Sequence, residues 1–243
     1  MYNWIKDKYK TLEQDKKLFN GGDPIPMISF PNFLPTDTAY ILNKECNFIP
    51  LKLWKKFTRK GSHMVEYNDI PNMPQGSQVV NYLNSGPFLK YLEELTGIPS
   101  LLPDPHLIGS GYSRSFKGDT LKVHTDFNWN EELKLHRALS LIIYITPNWE
   151  KEWGGGLEFY NKDRVLTYKA DCLFNTALLW KYDKFGYHGY EDPISCPNNL
   201  SRNTLRLFYY VSDSQHKKDD PPHRSLYWFN PETNLPYDKK EEK

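Results

Sequence analysis

His124, Thr125 and Asp126 set an imidazole and a carboxylate two positions apart in a stretch that reads as a β-strand. Strand side chains alternate between faces, so both groups project from the same one. A second imidazole from a distant strand, His188, completes a facial set of two histidines and one carboxylate. Such a set holds Fe(II) and leaves positions open for a co-substrate and oxygen. Arg202 follows His188 by fourteen residues and precedes the apolar run Leu205–Val211. A fixed guanidinium grips a carboxylate through two parallel hydrogen bonds, which suits the far carboxylate of 2-oxoglutarate.

Other residues compete for these roles. His136 reads as a turn residue, His216 as a surface residue in a polar stretch, and His223 as a structural hydrogen-bonding residue. Arg206 lies four residues beyond Arg202, so alternation places both on one face. It is placed to reach the co-substrate, to cap the pocket rim, or to form a surface ion pair. Arg137 opens the β-rich run that ends at Ile145, and its reading stays open between a structural role and a substrate contact. Trp129, just after the ligand pair, is a candidate for the substrate mouth. Aromatic packing is the default for Trp129, Trp149 and Trp153.

The elements that must position these residues are mostly strands. They are expected near 106–115, 119–126, 137–146, 156–160, 164–169, 171–175, 185–188, 203–212 and 225–229. Many strands separated by Gly, Pro and Asn turns indicate a sandwich or barrel. Gly154, Gly155 and Gly156 read as a tight turn or a close backbone approach. Upstream, residues 1–25 read as a short helix or a frayed arm, and Met27–Phe33 as a strand. A helix starts at a Thr36 or Asp37 cap and buries Ala39, Leu42 and Cys46. Residues 50–80 read as irregular with short strands. Ser85-Gly86-Pro87 opens a helix over Phe88–Thr96, closed by Gly97, with Phe88, Leu89, Leu92 and Leu95 as its buried stripe. The tail from Pro236 is charged and reads as disordered.

The order of motifs carries a resemblance. Leu121, His124, Asp126, Phe127 and Asn128 are followed by Arg137, Leu141 and Tyr144, then by Gly154, Gly155 and Leu157. His188-Gly189, Pro193, Cys196-Pro197 and Ser201-Arg202 complete the series. Across about residues 80–230 this order closely resembles the prolyl-4-hydroxylase-like branch of the Fe(II)/2-oxoglutarate dioxygenases, in its small bacterial and phage form. The resemblance implies a mainly β fold: a double-stranded β-helix, a cupin-like jelly roll, with N-terminal α-helices packed outside its larger sheet. It implies one catalytic domain over 1–243, with helical support over 1–100, a β core over 101–230 and a tail over 231–243. It implies His124, Asp126 and His188 as iron ligands, Arg202 as the anchor of 2-oxoglutarate, O2 as oxidant and ascorbate as an accessory. Tyr144 falls at the place of a tyrosine that donates its hydroxyl to the same co-substrate carboxylate in prolyl hydroxylases. An iron halogenase of this superfamily leaves the carboxylate position to chloride, so Asp126 favours hydroxylation.

Composition narrows the remaining classes. A formal charge of +1 gives no field to draw in nucleic acid or anionic lipid, so neither is expected as a partner. Three scattered cysteines do not make a secreted disulfide framework, and no signal peptide or membrane-length apolar run is visible, so the expected compartment is the cytoplasm. The 17 Tyr, 13 Phe and 7 Trp suit strands and pocket walls. The expected substrate is a prolyl residue in a protein or peptide. A free amino acid, sugar or other metabolite is the first alternative, a nucleic-acid demethylase the less favoured one, and a non-catalytic jelly-roll binding module the non-enzyme reading. Oligomeric state is not readable.

Overall fold

The computed structural model describes residues 2–59, 62–212 and 220–228. His216 and the tail beyond Pro236 lie outside these residues. The first hundred residues form helices α1 (Tyr2–Tyr9), α2 (Leu12–Asn20), α3 (Thr36–Phe48), α4 (Pro74–Leu83) and α5 (Gly86–Thr96), with strands β1 (Met27–Phe30), β2 (Lys55–Arg59) and β3 (Ser62–Tyr67) among them. The rest is nearly all strand: β4 (Leu102–Pro103), β5 (Gly111–Ser115), β6 (Leu121–Thr125), β7 (Trp129–Asn130), β8 (Leu135–Tyr144), β9 (Glu158–Tyr160), β10 (Leu166–Lys169), β11 (Thr176–Lys181), β12 (Tyr187–Tyr190), β13 (Arg202–Val211) and β14 (Leu226–Tyr227). No helix among the described residues is long and apolar enough to cross a membrane.

Two antiparallel sheets make the expected double-stranded β-helix. The larger runs β1-β11-β8-β13-β5-β3-β2, with β4 and β7 as side pairs; the smaller runs β10-β9-β12-β6-β14. Alternation along β8 and β13 sorts their side chains between two cores. Leu139, Leu141, Ile143, Leu205, Leu207 and Tyr209 face the N-terminal helices. Ile142 and Tyr144 face the space between the sheets, with Leu178 and Trp180 of β11 and Phe159 of β9. The helices therefore cover the outer face of the larger sheet, as the resemblance implies, and the inner face is left for the site. Ile5, Leu12 and Phe19 anchor α1 and α2 in the outer core, so the N-terminal stretch is helix and not a frayed arm.

Several expected boundaries move, for identifiable reasons. Helix α4 begins inside the stretch read as irregular, 50–80, and runs three residues past it. Pro74 and Gly76 resemble turn signals, but proline costs little in a first helical turn. Glu45 on α3 accepts the amide hydrogens of Gln75 and Gly76, each at 2.8 Å, so a distant residue caps the helix start. The strand expected at 171–175 is displaced to β11. Asn175 has a left-handed backbone (φ 59°), and its side chain bonds both the amide and the carbonyl of Leu34, at 2.9 and 2.8 Å. Residues 106–110 are turn: Asp104 accepts from the amides of His106 and Ile108. Neither Thr36 nor Asp37 caps α3, which begins directly after Pro35. His136 lies buried inside β8 and not in a turn.

Leu207 is 1% exposed under the helices, and Val165 is 56% exposed. Leu207→Ala should cost about 2–5 kcal/mol in urea unfolding, the range for large-to-small core changes. Val165→Ala should stay within about 0.5 kcal/mol. Equal, small effects would contradict the packing of the helices on this sheet.

Candidate metal centre

The pairing of β6 with β12 places His188 directly opposite His124. Asp126 follows one residue beyond the end of β6. One ligand atom from each of the three lies within 4.8 Å of the others. The Nε2 atoms of His124 and His188 stand 3.9 and 3.7 Å from the Asp126 carboxylate oxygens. Each Nδ1 points the other way. That of His124 donates to the Lys122 carbonyl at 2.7 Å, and that of His188 to the Gly186 carbonyl at 2.9 Å. A carbonyl only accepts, so the ring proton sits on Nδ1 and the Nε2 lone pair faces the cluster, as a metal ligand requires. Phe159 stacks on His188, Tyr227 of β14 stacks on His124, and the edge of Trp180 closes on His188.

Charge at the centre is prepared for a cation. Burial, reinforced by His188, lowers the His124 pKa to about 4, so this imidazole is neutral at physiological pH. Burial opposes ionisation of Asp126, but Arg137, the two histidines and Arg206 outweigh it and hold the carboxyl below its ordinary value. Arg137 pairs with Asp126 Oδ2 at 3.3 Å and donates through Nε to Ser140 Oγ at 3.1 Å. Its guanidinium lies 3.4 Å from the Phe208 ring centre and 4.5 Å from that of Phe127. Strict alternation would point Arg137 toward the helices with Leu139. A bulge opposite Tyr209 and Tyr210 shifts the register, and Arg137 turns inward. Of its two open readings, the contact made is with the candidate ligand Asp126.

Arg202 begins β13 and is 4% exposed. Its guanidinium carbon sits 4.9 Å from the Tyr144 ring centre and 5.1 Å from that of Tyr190. Among the described residues no carboxylate pairs with it, and neither its Nε nor the Tyr144 hydroxyl has a hydrogen-bond partner. Burial pushes the Tyr144 phenol up to about 12, so it keeps its proton and remains a donor. Gly155, at φ +80°, makes room: a Cβ there would stand 2.7 Å from Arg202 Cδ. The three candidate ligands and Arg202 open onto one cavity of about 250 Å3. Two imidazole nitrogens, an ionised carboxylate and a buried cation lacking its counter-charge fit a divalent metal and a dicarboxylic oxo acid.

Other expected residues fall into place around this centre. Arg206 lines the cavity and donates from Nη2 to Glu66 Oε1 at 2.6 Å; the pair is partly buried and not a surface pair. Trp129 is not among the side chains that line the cavity; it donates to Glu131 and packs on His136. His223 is structural, with Nε2 2.9 Å from the Tyr182 hydroxyl and Nδ1 on the Arg224 carbonyl. Trp149 and Trp153 pack edge to face. Ser140, Phe159, Trp180, Tyr227 and Glu66 were not foreseen. Only strand pairing brings them to the site, and no local motif marks them.

His188→Ala should abolish stoichiometric Mn(II) binding, measured by calorimetry, while circular dichroism stays unchanged. One equivalent bound with undiminished affinity would contradict this ligand set.

Residues 110–210 match the sequence model of the 2OG-Fe(II) oxygenase superfamily. No curated protein sequence matches the chain significantly. Solved structures do. A prolyl hydroxylase from Trichoplax adhaerens, in complex with a hypoxia inducible factor oxygen degradation domain peptide fragment, aligns with TM-score 0.60 at 15% identity, covering 84% of this chain and 92% of its own. A Pseudomonas putida prolyl-4-hydroxylase aligns with TM-score 0.58 at 12% identity, covering 81% and 98%. The non-heme alpha ketoglutarate dependent epimerase SnoN from nogalamycin biosynthesis also gives 0.58, at 11% identity, covering 95% and 96%. At these identities the structural likeness is one of fold. Sequence match over residues 110–210, fold and donor set point the same way, and this part of the chain is similar to the 2OG-Fe(II) oxygenase superfamily.

Proposed function

We propose that this chain is an Fe(II)- and 2-oxoglutarate-dependent dioxygenase that hydroxylates an unactivated C–H bond, with His124, Asp126 and His188 as iron ligands. The observation that carries the reading is Arg202. It is a buried guanidinium without a carboxylate partner among the described residues, facing the cavity onto which the two histidines and Asp126 open. When bound, iron(II) lets O2 be split between two acceptors: one oxygen atom enters succinate as 2-oxoglutarate loses CO2, and the other enters the substrate C–H bond. The protein groups do the positioning. Arg202 and the Tyr144 hydroxyl hold the distal carboxylate of 2-oxoglutarate. Arg137 keeps Asp126 ionised and oriented. Leu157, Ile142 and Trp180 on the cavity wall exclude water from the reacting carbon. Ascorbate is a proposed accessory: the coupled reaction balances without it, and it would serve only to keep bound iron reduced when 2-oxoglutarate is consumed without substrate oxidation.

The favoured substrate is a prolyl residue in a protein or peptide. Two structural neighbours named as prolyl hydroxylases, one of them bound to a peptide, support that class. A small metabolite is the second reading, supported by the epimerase of similar fold and by the modest size of the cavity. The whole chain is proposed to act as one catalytic domain. The proposed compartment is the cytoplasm, where the buried free thiols of Cys46, Cys172 and Cys196 suit a reducing environment.

Arg202→Ala should weaken 2-oxoglutarate binding about ten- to a hundredfold, the scale of losing a charge-assisted hydrogen bond of roughly 1.5–3 kcal/mol. Metal affinity should change far less, and Tyr144→Phe should act in the same direction more weakly. Unchanged 2-oxoglutarate dependence in Arg202→Ala would move the anchor elsewhere. With 18O2, the product should gain one labelled oxygen for each succinate formed. A chlorinated product would contradict the role given to Asp126.

A further inference from the structure

Arg206 is left without a task by the reaction as described. It lies four residues beyond Arg202 on the inward face of β13, opposite Ile142 of β8, and its side chain lines the same cavity. Glu66 holds one corner of the guanidinium, Nη2, at 2.6 Å. Among the described residues, no oxygen is found for its Nε or Nη1. Among the described residues Nε is buried without a partner, and Nη1 meets the Met64 sulfur at 3.9 Å, a weak acceptor. Arg206 is thus fixed from one side, with donors to spare.

The charges of the cavity point the same way. Among the described residues that line it, three arginines, Arg137, Arg202 and Arg206, face two carboxylates, Asp126 and Glu66. A divalent metal and a dianionic oxo acid cancel each other, so one positive charge remains. A single carboxylate on the substrate neutralises it. Phe57, Met64, Phe127 and Phe208 line the cavity as well and suit the hydrocarbon part of such a molecule. The volume of about 250 Å3 is below the roughly 300–1,000 Å3 of pockets that enclose a drug-sized ligand. It suits the co-substrate and one residue-sized group. An internal peptide residue would bring neutral amides to a partly buried charge.

We propose that Arg206 is a second carboxylate anchor, and that the substrate presents a carboxylate to it, as a free amino acid or as the C-terminal residue of a peptide. This rests on the dioxygenase reading above and narrows its substrate class. Arg206 then sets specificity, while Arg202 serves the co-substrate.

The test uses the anaerobic protein loaded with Fe(II) and 2-oxoglutarate. The twenty amino acids are supplied as free amino acids, as N-acetyl acids and as N-acetyl amides. Binding is read by quenching of tryptophan emission, since Trp180 lines the cavity, and turnover by succinate release in air. At least one acid should bind tenfold or more tightly than its amide. That preference should fall below threefold in Arg206→Gln, with the 2-oxoglutarate Kd unchanged, and Arg206→Lys should restore part of it. Glu66→Gln, which keeps the cation, should bind the acid as tightly as the wild type or more so. The free and N-acetyl arms separate an amino acid from a peptide C-terminus. The proposal is overturned if no acid outbinds its amide, if Arg206→Gln keeps the preference, if Glu66→Gln loses it, or if Arg206→Gln weakens 2-oxoglutarate as much as Arg202→Gln does. Wild-type protein that fails to bind 2-oxoglutarate with Fe(II) would instead overturn the dioxygenase reading beneath it.

Discussion

The register between β6 and β12 is the constraint on which the candidate centre depends. It sets His188 across from His124, and both imidazoles turn toward Asp126. A slip of one residue would send each side chain to the opposite face, so the register must be held firmly. Gly189 allows the close approach: a Cβ there would stand 2.5 Å from the Leu121 carbonyl oxygen. On the other side of β6, β14 pairs with Thr125 and His124 and lays Tyr227 over the imidazole. Backbone carbonyls then fix both ring orientations through Nδ1. The donor atoms are thus oriented by the sheet itself, which is the preorganisation a metal centre needs.

Around that frame, charge is distributed unevenly, and the unevenness has meaning. Arg137 and Arg206 each have a carboxylate, at 3.3 and 2.6 Å. Arg202 has two aromatic rings and no carboxylate among the described residues. Cation–ring contacts offset only part of the cost of burying a guanidinium, which is several kcal/mol by general estimates. A fold carries such a cost where a ligand supplies the missing charge. The smaller sheet therefore carries the histidines, the larger sheet carries the guanidinium without a carboxylate, and the cavity lies between them.

Much of this was legible in the sequence, and for local reasons. His124 and Asp126 are two apart on one strand end, Arg202 and Arg206 share a face by simple alternation, and Gly155 and Gly97 mark left-handed backbone. What was not legible depends on distant partners. The bulge that turns Arg137 inward is a property of the β8–β13 pairing and leaves no mark in the run from Arg137 to Ile145. Helix α4 is capped by Glu45, thirty residues away in sequence, so its start reads locally as a turn. Asn175 looks like part of a strand until Leu34 is seen to bind its side chain. Trp129 sits beside the ligand pair in sequence, yet β7 pairs with β8 and carries it onto His136, away from the cavity lining.

The most direct test of the central claim is an anaerobic titration of the protein with Fe(II) and 2-oxoglutarate, followed by visible absorption. A 2-oxo acid that chelates ferrous iron gives a charge-transfer band that succinate cannot produce. The account predicts that band at one equivalent each of Fe(II) and 2-oxoglutarate, and its loss when His188 is replaced by alanine. Absence of the band in the wild type, or an equal band in His188→Ala, would contradict the site as built here.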